Sequence, residues 1–233
     1  MAEASNKEKK AEIEYNGKRY IRIPVKTHVI MSEDRIVDVV KKYTEGKLQK
    51  GDVVFVSEKA VAITQRRAFP VKDIKPSKLA VFLSNHVTKT KHGIGLGIPE
   101  TMEMALRECG VPRIMLAAAV AAVTKPFGLR GAFYQVAGYK AASIDGPTLN
   151  TLPPYNTYVV LGPLKPDRTA KEISNMIGAP VIIVDLNDLG GKILGRSDSS
   201  LNKEEMYGIL KDNPLGQSRE QTPVGIIRLK SAD

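Results

Sequence analysis

The chain has 233 residues, 42% apolar and 26% charged, a globular composition with enough apolar mass to bury a core. A single cysteine, Cys109, excludes an internal disulfide, a cysteine-cluster zinc site and an iron–sulfur cluster held within one chain, and His28, His86 and His92 lack metal-ligand spacing. The formal charge of +10 favours anionic partners, but with 6% aromatic residues, no Trp and basic residues spread along the chain, small-anion chemistry fits better than nucleic acid.

The first twelve residues are polar and charged with no apolar signal core, so residues 1–10 are expected to be a frayed tail and the protein cytoplasmic. Residues 12–15 and 18–25 flank Asn16-Gly17, the signature of a type I′ hairpin, and Pro24 suggests that the second strand lies at a sheet edge. Lys26 and Thr27 then set an ammonium and a hydroxyl beside the strand end. Ser32 reads as an N-cap, with Glu33 and Asp34 complementing the dipole of a helix that keeps an apolar face until Gly46. The runs VVFV (53–56) and AVAIT (60–64) read as two strands whose charged tip holds Ser57, Glu58 and Lys59.

Pro76-Ser77 starts a helix through Val87, followed by a basic loop at 88–92. GIGLG at 93–97 lacks the spacing of a dinucleotide cradle, yet Pro99 fits the first position of a helix to Cys109, whose N-terminus suits an anion. Residues 114–123, IMLAAAVAAV, reach about half a membrane span and read as a buried helix with no membrane role. A glycine-rich passage, 127–148, ends in Asp145, which sits in a tight turn before Gly146-Pro147. A strand at 157–161 follows, and then Pro166-Asp167 precedes an amphipathic helix to Ile177.

The four apolar residues 181–184 have the length and branching of a buried strand and run into Asp185, Asn187, Asp188 and two glycines. Carboxylates at such a strand end are candidate metal or phosphate-handling groups, with Gly190-Gly191 allowing a ligand close; an Asx-rich turn has the same pattern. Asn202 caps a helix over 203–210, a polar loop at 215–223 offers Gln217, Glu220, Gln221 and Thr222, and a strand closes the chain at 224–228. With no repeat and no linker, residues 11–233 read as one domain, possible subdomains being left open.

The ordered set of KT at 26–27, GDVVFVSEKAVAITQ at 51–65, SIDGPT at 143–148, VIIVDLND at 181–188 and PLGQSREQTPVGIIR at 214–228 resembles the coenzyme F420:L-glutamate ligase (gamma-glutamyl ligase) family over residues 23–228. The resemblance implies an α/β (α+β) fold of mixed sheets with flanking helices, and a homodimer. It also implies an amide ligase in which GTP, or ATP, and a divalent cation, manganese or magnesium, activate the carboxylate of a small anionic acceptor as an acyl phosphate for attack by L-glutamate. Carried over by position, the implied metal ligands are Asp145, Asp185, Asp188 and Gln217. The implied nucleotide contacts are Lys26, Thr27, Glu58, Lys59, Thr148, Gly216, Ser218 and Thr222. No general base is identified.

Three positions depart from the family pattern: Leu186 replaces a hydroxyl, Ile63 stands where a lysine is expected, and SIDGPT replaces a GID-x-SN turn. Leu186 and Ile63 motivate a second expectation, a non-catalytic nucleotide-binding or regulatory protein that keeps the ligase fold. A third, salt-sensitive RNA binding, rests on charge alone.

Overall fold

In the computed structural model, which describes residues 10–87, 94–129, 131–187, 190–216 and 219–230, Asn16 and Gly17 take positive φ angles of 49° and 72°. This turn folds β1 (Glu12–Tyr15) onto β2 (Lys18–Val25). Contacts divide the chain into two units, Met1–Gln65 with Pro163–Asp233, and Arg66–Gly162.

The first unit is built on a six-stranded mixed sheet. Besides β1 and β2 it contains β3 (Val53–Ser57), β6 (Val181–Asn187), β7 (Gly190–Arg196) and β8 (Val224–Leu229), in the order β1-β2-β8-β3-β6-β7. Only β3 and β6 pair in parallel; the other neighbours are antiparallel. One face presents Tyr20, Phe55, Ile182, Val184 and Ile227 to α9 (Lys203–Leu210), which contributes Met206, Ile209 and Leu210. Alternation along the strands puts Val54, Val56, Val181, Ile183, Val224 and Ile226 on the opposite face, all buried. Helix α2 (Glu58–Thr64) packs there on β3 and β6, and α8 (Pro166–Ile177) on β6 and β7, with α1 (Ile36–Thr44) against α8.

β2 is an interior strand, not the edge strand expected from Pro24. Arg22, two residues earlier, donates its N–H to Ala11 O on the β1 side, so the proline nitrogen faces that same side after β1 pairing has ended. The expectation of a strand over 60–64 is also corrected, because those residues are helical in α2. Both hydrogen-bonding edges of β3 are taken, by β8 and β6, and a chain leaving β3 satisfies its own backbone by coiling over the sheet. Helix α1 starts at Ile36 with Arg35 as N-cap, three residues later than Ser32 suggested.

In the second unit β4 (Ala68–Pro70) pairs with β5 (Tyr158–Val160). Around it lie α3 (Lys78–His86), α4 (Pro99–Cys109), α5 (Val111–Thr124), α6 (Ala132–Ala137) and α7 (Tyr139–Ala142). Leu83, Leu96, Met102, Ile114, Ile144 and Val159 are part of their shared core. Ser77 caps α3 by accepting the Ala80 N–H, and its own N–H is donated to Glu103 of α4 at 3.0 Å. Helix α5 is not the buried helix expected. Ile114 and Ala117 are buried, whereas Leu116 and Val123 are 59% and 67% exposed. The glycine-rich passage holds α6 and α7, which the sequence did not suggest.

Among the described residues no helix is long and apolar enough to cross a membrane. The expected N-terminal tail lies almost entirely outside them, as do the basic loop at 88–92 and Gly93.

Candidate functional site

The sheet order gathers segments that lie far apart in sequence. Ser57 at the end of β3 is in register with Val184 of β6, so Glu58 and Asp185 both emerge at the carboxyl end of the one parallel pair, where a ligand crevice opens in α/β sheets. β8 runs the other way between β2 and β3, and its first residue, Val224, lies opposite both Val25 and Val56. Residues 221–223 therefore arrive at the same sheet end as Lys26, Thr27, Glu58 and Lys59. Direct bonds join them: Thr27 N–H to Gln221 O at 3.1 Å, Gln221 Nε2 to Thr27 O at 2.9 Å, and Ser57 N–H to Pro223 O at 2.8 Å.

The donors at this end are unequal. Lys26 is exposed, and Glu58 and Lys59 are half-buried in the first turn of α2. The Thr27 hydroxyl donates to His28 O at 2.7 Å and that of Thr222 to Leu215 O at 2.6 Å, so both protons are held by local carbonyls. Gly216 takes a φ of 82°, and its carbonyl accepts the Asn213 side-chain amide at 2.9 Å.

Asp185 is half-buried and directly opposite Lys192 of β7. The next residue, Leu186, turns to the other face and packs with the α9-side core, which accounts for an apolar residue where the resemblance leads one to expect a hydroxyl. Ile63 is likewise buried in α2. Gly191 has a structural reason: a Cβ there would collide with the carbonyl oxygen of Asp185 across the β6–β7 hairpin, so the missing side chain serves strand pairing rather than ligand approach.

A network that the sequence reading passed over adjoins this end. His28 Nδ1 lies 3.0 Å from the Tyr43 hydroxyl, and its Nε2 lies 3.0 Å from Asp34 Oδ2. Tyr43 also accepts the His28 backbone N–H at 3.0 Å, and Asp34 Oδ2 accepts that of Met31 at 2.7 Å. Burial alone would raise the Asp34 carboxyl, but the Met31 and His28 hydrogen bonds and the charges of His28 and Lys42 hold it below the usual carboxylate value. The three side chains are spaced too irregularly in sequence to be read as one group.

In the second unit Asp145 is exposed, and its backbone bridges to Val160 with bonds of 2.8 and 2.9 Å. The Thr148 hydroxyl pairs with that of Thr151 at 2.7 Å. Asp145 and Asp185 thus belong to different units. The expected metal ligands Asp188 and Gln217 and the expected nucleotide contact Ser218 lie outside the described residues.

Among the described residues no group of three or more His, Cys, Asp or Glu side chains is placed to hold a metal ion. The donor chemistry of Asp185 nevertheless suits a hard cation such as Mn2+ or Mg2+, which takes few protein oxygens and retains water.

Residues 24–194 match the family described as F420-0:Gamma-glutamyl ligase. The chain belongs to the F420-0:gamma-glutamyl ligase family. By that membership it is a ligase of coenzyme F420 biosynthesis. No curated protein matches the chain. Within the gamma-glutamyl ligase match lie Lys26, Thr27, Glu58, Lys59, Asp145, Thr148, Asp185 and Asp188, whereas Gly216, Gln217, Ser218 and Thr222 follow it.

Proposed function

We propose that this protein is a cytoplasmic, nucleotide- and divalent-metal-dependent amide ligase that adds L-glutamate to a carboxylate-bearing acceptor of the coenzyme F420-0 type. The observation that supports the reading best is the convergence of Lys26, Lys59, Glu58 and Asp185 at one sheet end, set by the pairing of β2, β8, β3 and β6. Amide formation from a carboxylate needs a leaving group. The acceptor carboxylate attacks the γ-phosphoryl group of GTP or ATP, giving an acyl phosphate and a nucleoside diphosphate, and the glutamate amine then displaces phosphate. Phosphoryl transfer of this kind depends on positioning and on neutralising charge.

Lys26 and Lys59 bind the phosphates in this account, and Gly216 and Thr222 border the nucleotide. Asp185 holds the divalent cation, with Asp188 and Gln217 as further ligands implied by the resemblance. The cation supplies charge neutralisation at the transferring phosphoryl group. The helical unit has its own carried-over candidates, Asp145 for metal and Thr148 for nucleotide. A homodimer belongs to the same proposal. Its support is the run of large apolar side chains left exposed at and after α5, namely Met115, Leu116, Val123, Phe127 and Leu129.

The test supplies coenzyme F420-0, L-glutamate, GTP and Mn2+ and follows glutamyl product together with released phosphate. Equal amounts of the two are expected, with both falling by about a hundredfold or more in Asp185→Asn. Unchanged turnover in that variant would remove Asp185 from the site. Nucleotide binding with no phosphate release would instead favour the non-catalytic reading, for which Leu186, packed on the α9-side core, and the buried Ile63 are the motive.

A further inference from the structure

We infer that His28 is a positioning residue, clamping the segment after β2 so that Lys26 is held ready for the phosphate groups of a nucleotide. The inference rests on the nucleotide reading above and goes beyond it in naming what organises that side of the site.

Both ring nitrogens of His28 are engaged. The Tyr43 hydroxyl, which accepts the His28 backbone N–H, also lies 3.0 Å from Nδ1, and Nε2 lies 3.0 Å from Asp34 Oδ2. Asp34 Oδ2 accepts the Met31 N–H as well, closing the segment on itself. On its other side Thr27 is held by two reciprocal bonds to Gln221, and its side chain is buried.

Residues 26–34 are thus tied to α1 through Tyr43 and to the residue chain entering β8 through Gln221. Lys42, adjacent to Tyr43, lies 5.4 Å from that ring's centroid and adds positive charge near Asp34. Lys26 is exposed at the start of this clamped segment. An anion captured by such a lysine has only side-chain freedom to quench, since the backbone is already fixed, and this is the advantage of preorganisation. A histidine whose two nitrogens are both engaged orients the segment and does not itself touch the ligand.

The experiment titrates GTP, and separately ATP, with Mn2+ into the full chain and into His28→Ala, His28→Gln and Tyr43→Phe, with thermal unfolding of each. His28→Ala should bind about tenfold more weakly than wild type while still unfolding cooperatively. His28→Gln, which keeps a donor toward Asp34, should recover part of that loss, and Tyr43→Phe should weaken binding by about fivefold. Recovery by glutamine is the outcome that mere volume filling does not produce.

Should His28→Ala fail to fold, the Gln and Phe variants decide. Wild-type binding with every folded variant within about twofold of it overturns the positioning role and leaves the nucleotide reading standing. No binding by the wild-type chain overturns the nucleotide reading and the inference with it.

Discussion

Asp52 precedes β3 and is 1% exposed, yet it is a carboxylate. It accepts from Arg228 Nε and Nη2 at 2.9 and 2.7 Å and from the Gln49 N–H at 2.8 Å. Burial by itself would raise its pKa, but these bonds and the Arg228 charge hold the carboxyl below its ordinary value. A lowered folded-state value means that its stabilisation is complete above the unfolded value of about 3.9 and is lost as pH falls through the folded one. Thermal unfolding measured from pH 6 downward should therefore show a melting temperature that declines below about pH 4, and Asp52→Asn should flatten that decline. At neutral pH the same variant should cost about 2 kcal/mol in urea unfolding, less than for a fully buried pair because part of Arg228 reaches water. A variant as stable as wild type at neutral pH would show that the pair contributes no net stability. Lys230–Glu12, by contrast, is a more open pair, and its removal should change stability by well under about 1 kcal/mol.

Helices α3 and α9 begin at the capping side chains the sequence offers, whereas α1 does not begin at Ser32. The Asn202 side chain accepts the Glu204 and Glu205 N–H groups at 2.9 and 3.3 Å, and Asn202→Ala should destabilise the chain by about 1 kcal/mol in urea unfolding. Pro99 and Pro166 open α4 and α8 at the first helical position, and Ser77 caps α3, so these three helices were legible in the sequence to within a residue or two. Two failures share one cause, which is that the deciding contacts are distant. AVAIT has a strand's composition and is helical because β8 and β6 occupy both edges of β3. GGKILGR gave no strand signal; it becomes β7 through pairing with β6, which needs Gly191 for its close backbone approach. The site was legible in pieces. Asp185 and the segments at 26–27 and 58–59 were each visible, but their meeting at one sheet end depends on β8, the last strand in chain order, which pairs with both β2 and β3. The His28–Asp34–Tyr43 network was not legible, since a loop and a helix had to be folded together to form it.

For the whole molecule, surface chemistry and the family assignment lead to the remaining predictions. Leu116 and Phe127 are 59% and 79% exposed, an apolar display that a second copy of the chain would cover. Sedimentation should give a dimer, and Leu116→Glu with Phe127→Glu should shift it to monomer while retaining cooperative unfolding; a monomeric wild-type chain at micromolar concentration would contradict this. Binding of a nucleotide with a divalent cation at the sheet end bearing Lys26, Lys59 and Asp185 can be measured without an acceptor, by calorimetric titration of GTP and ATP with and without Mn2+ on wild type and on Asp185→Ala. Binding at roughly micromolar affinity that requires the metal and is lost in Asp185→Ala is expected. Binding of neither nucleotide, with or without metal, would contradict the nucleotide reading.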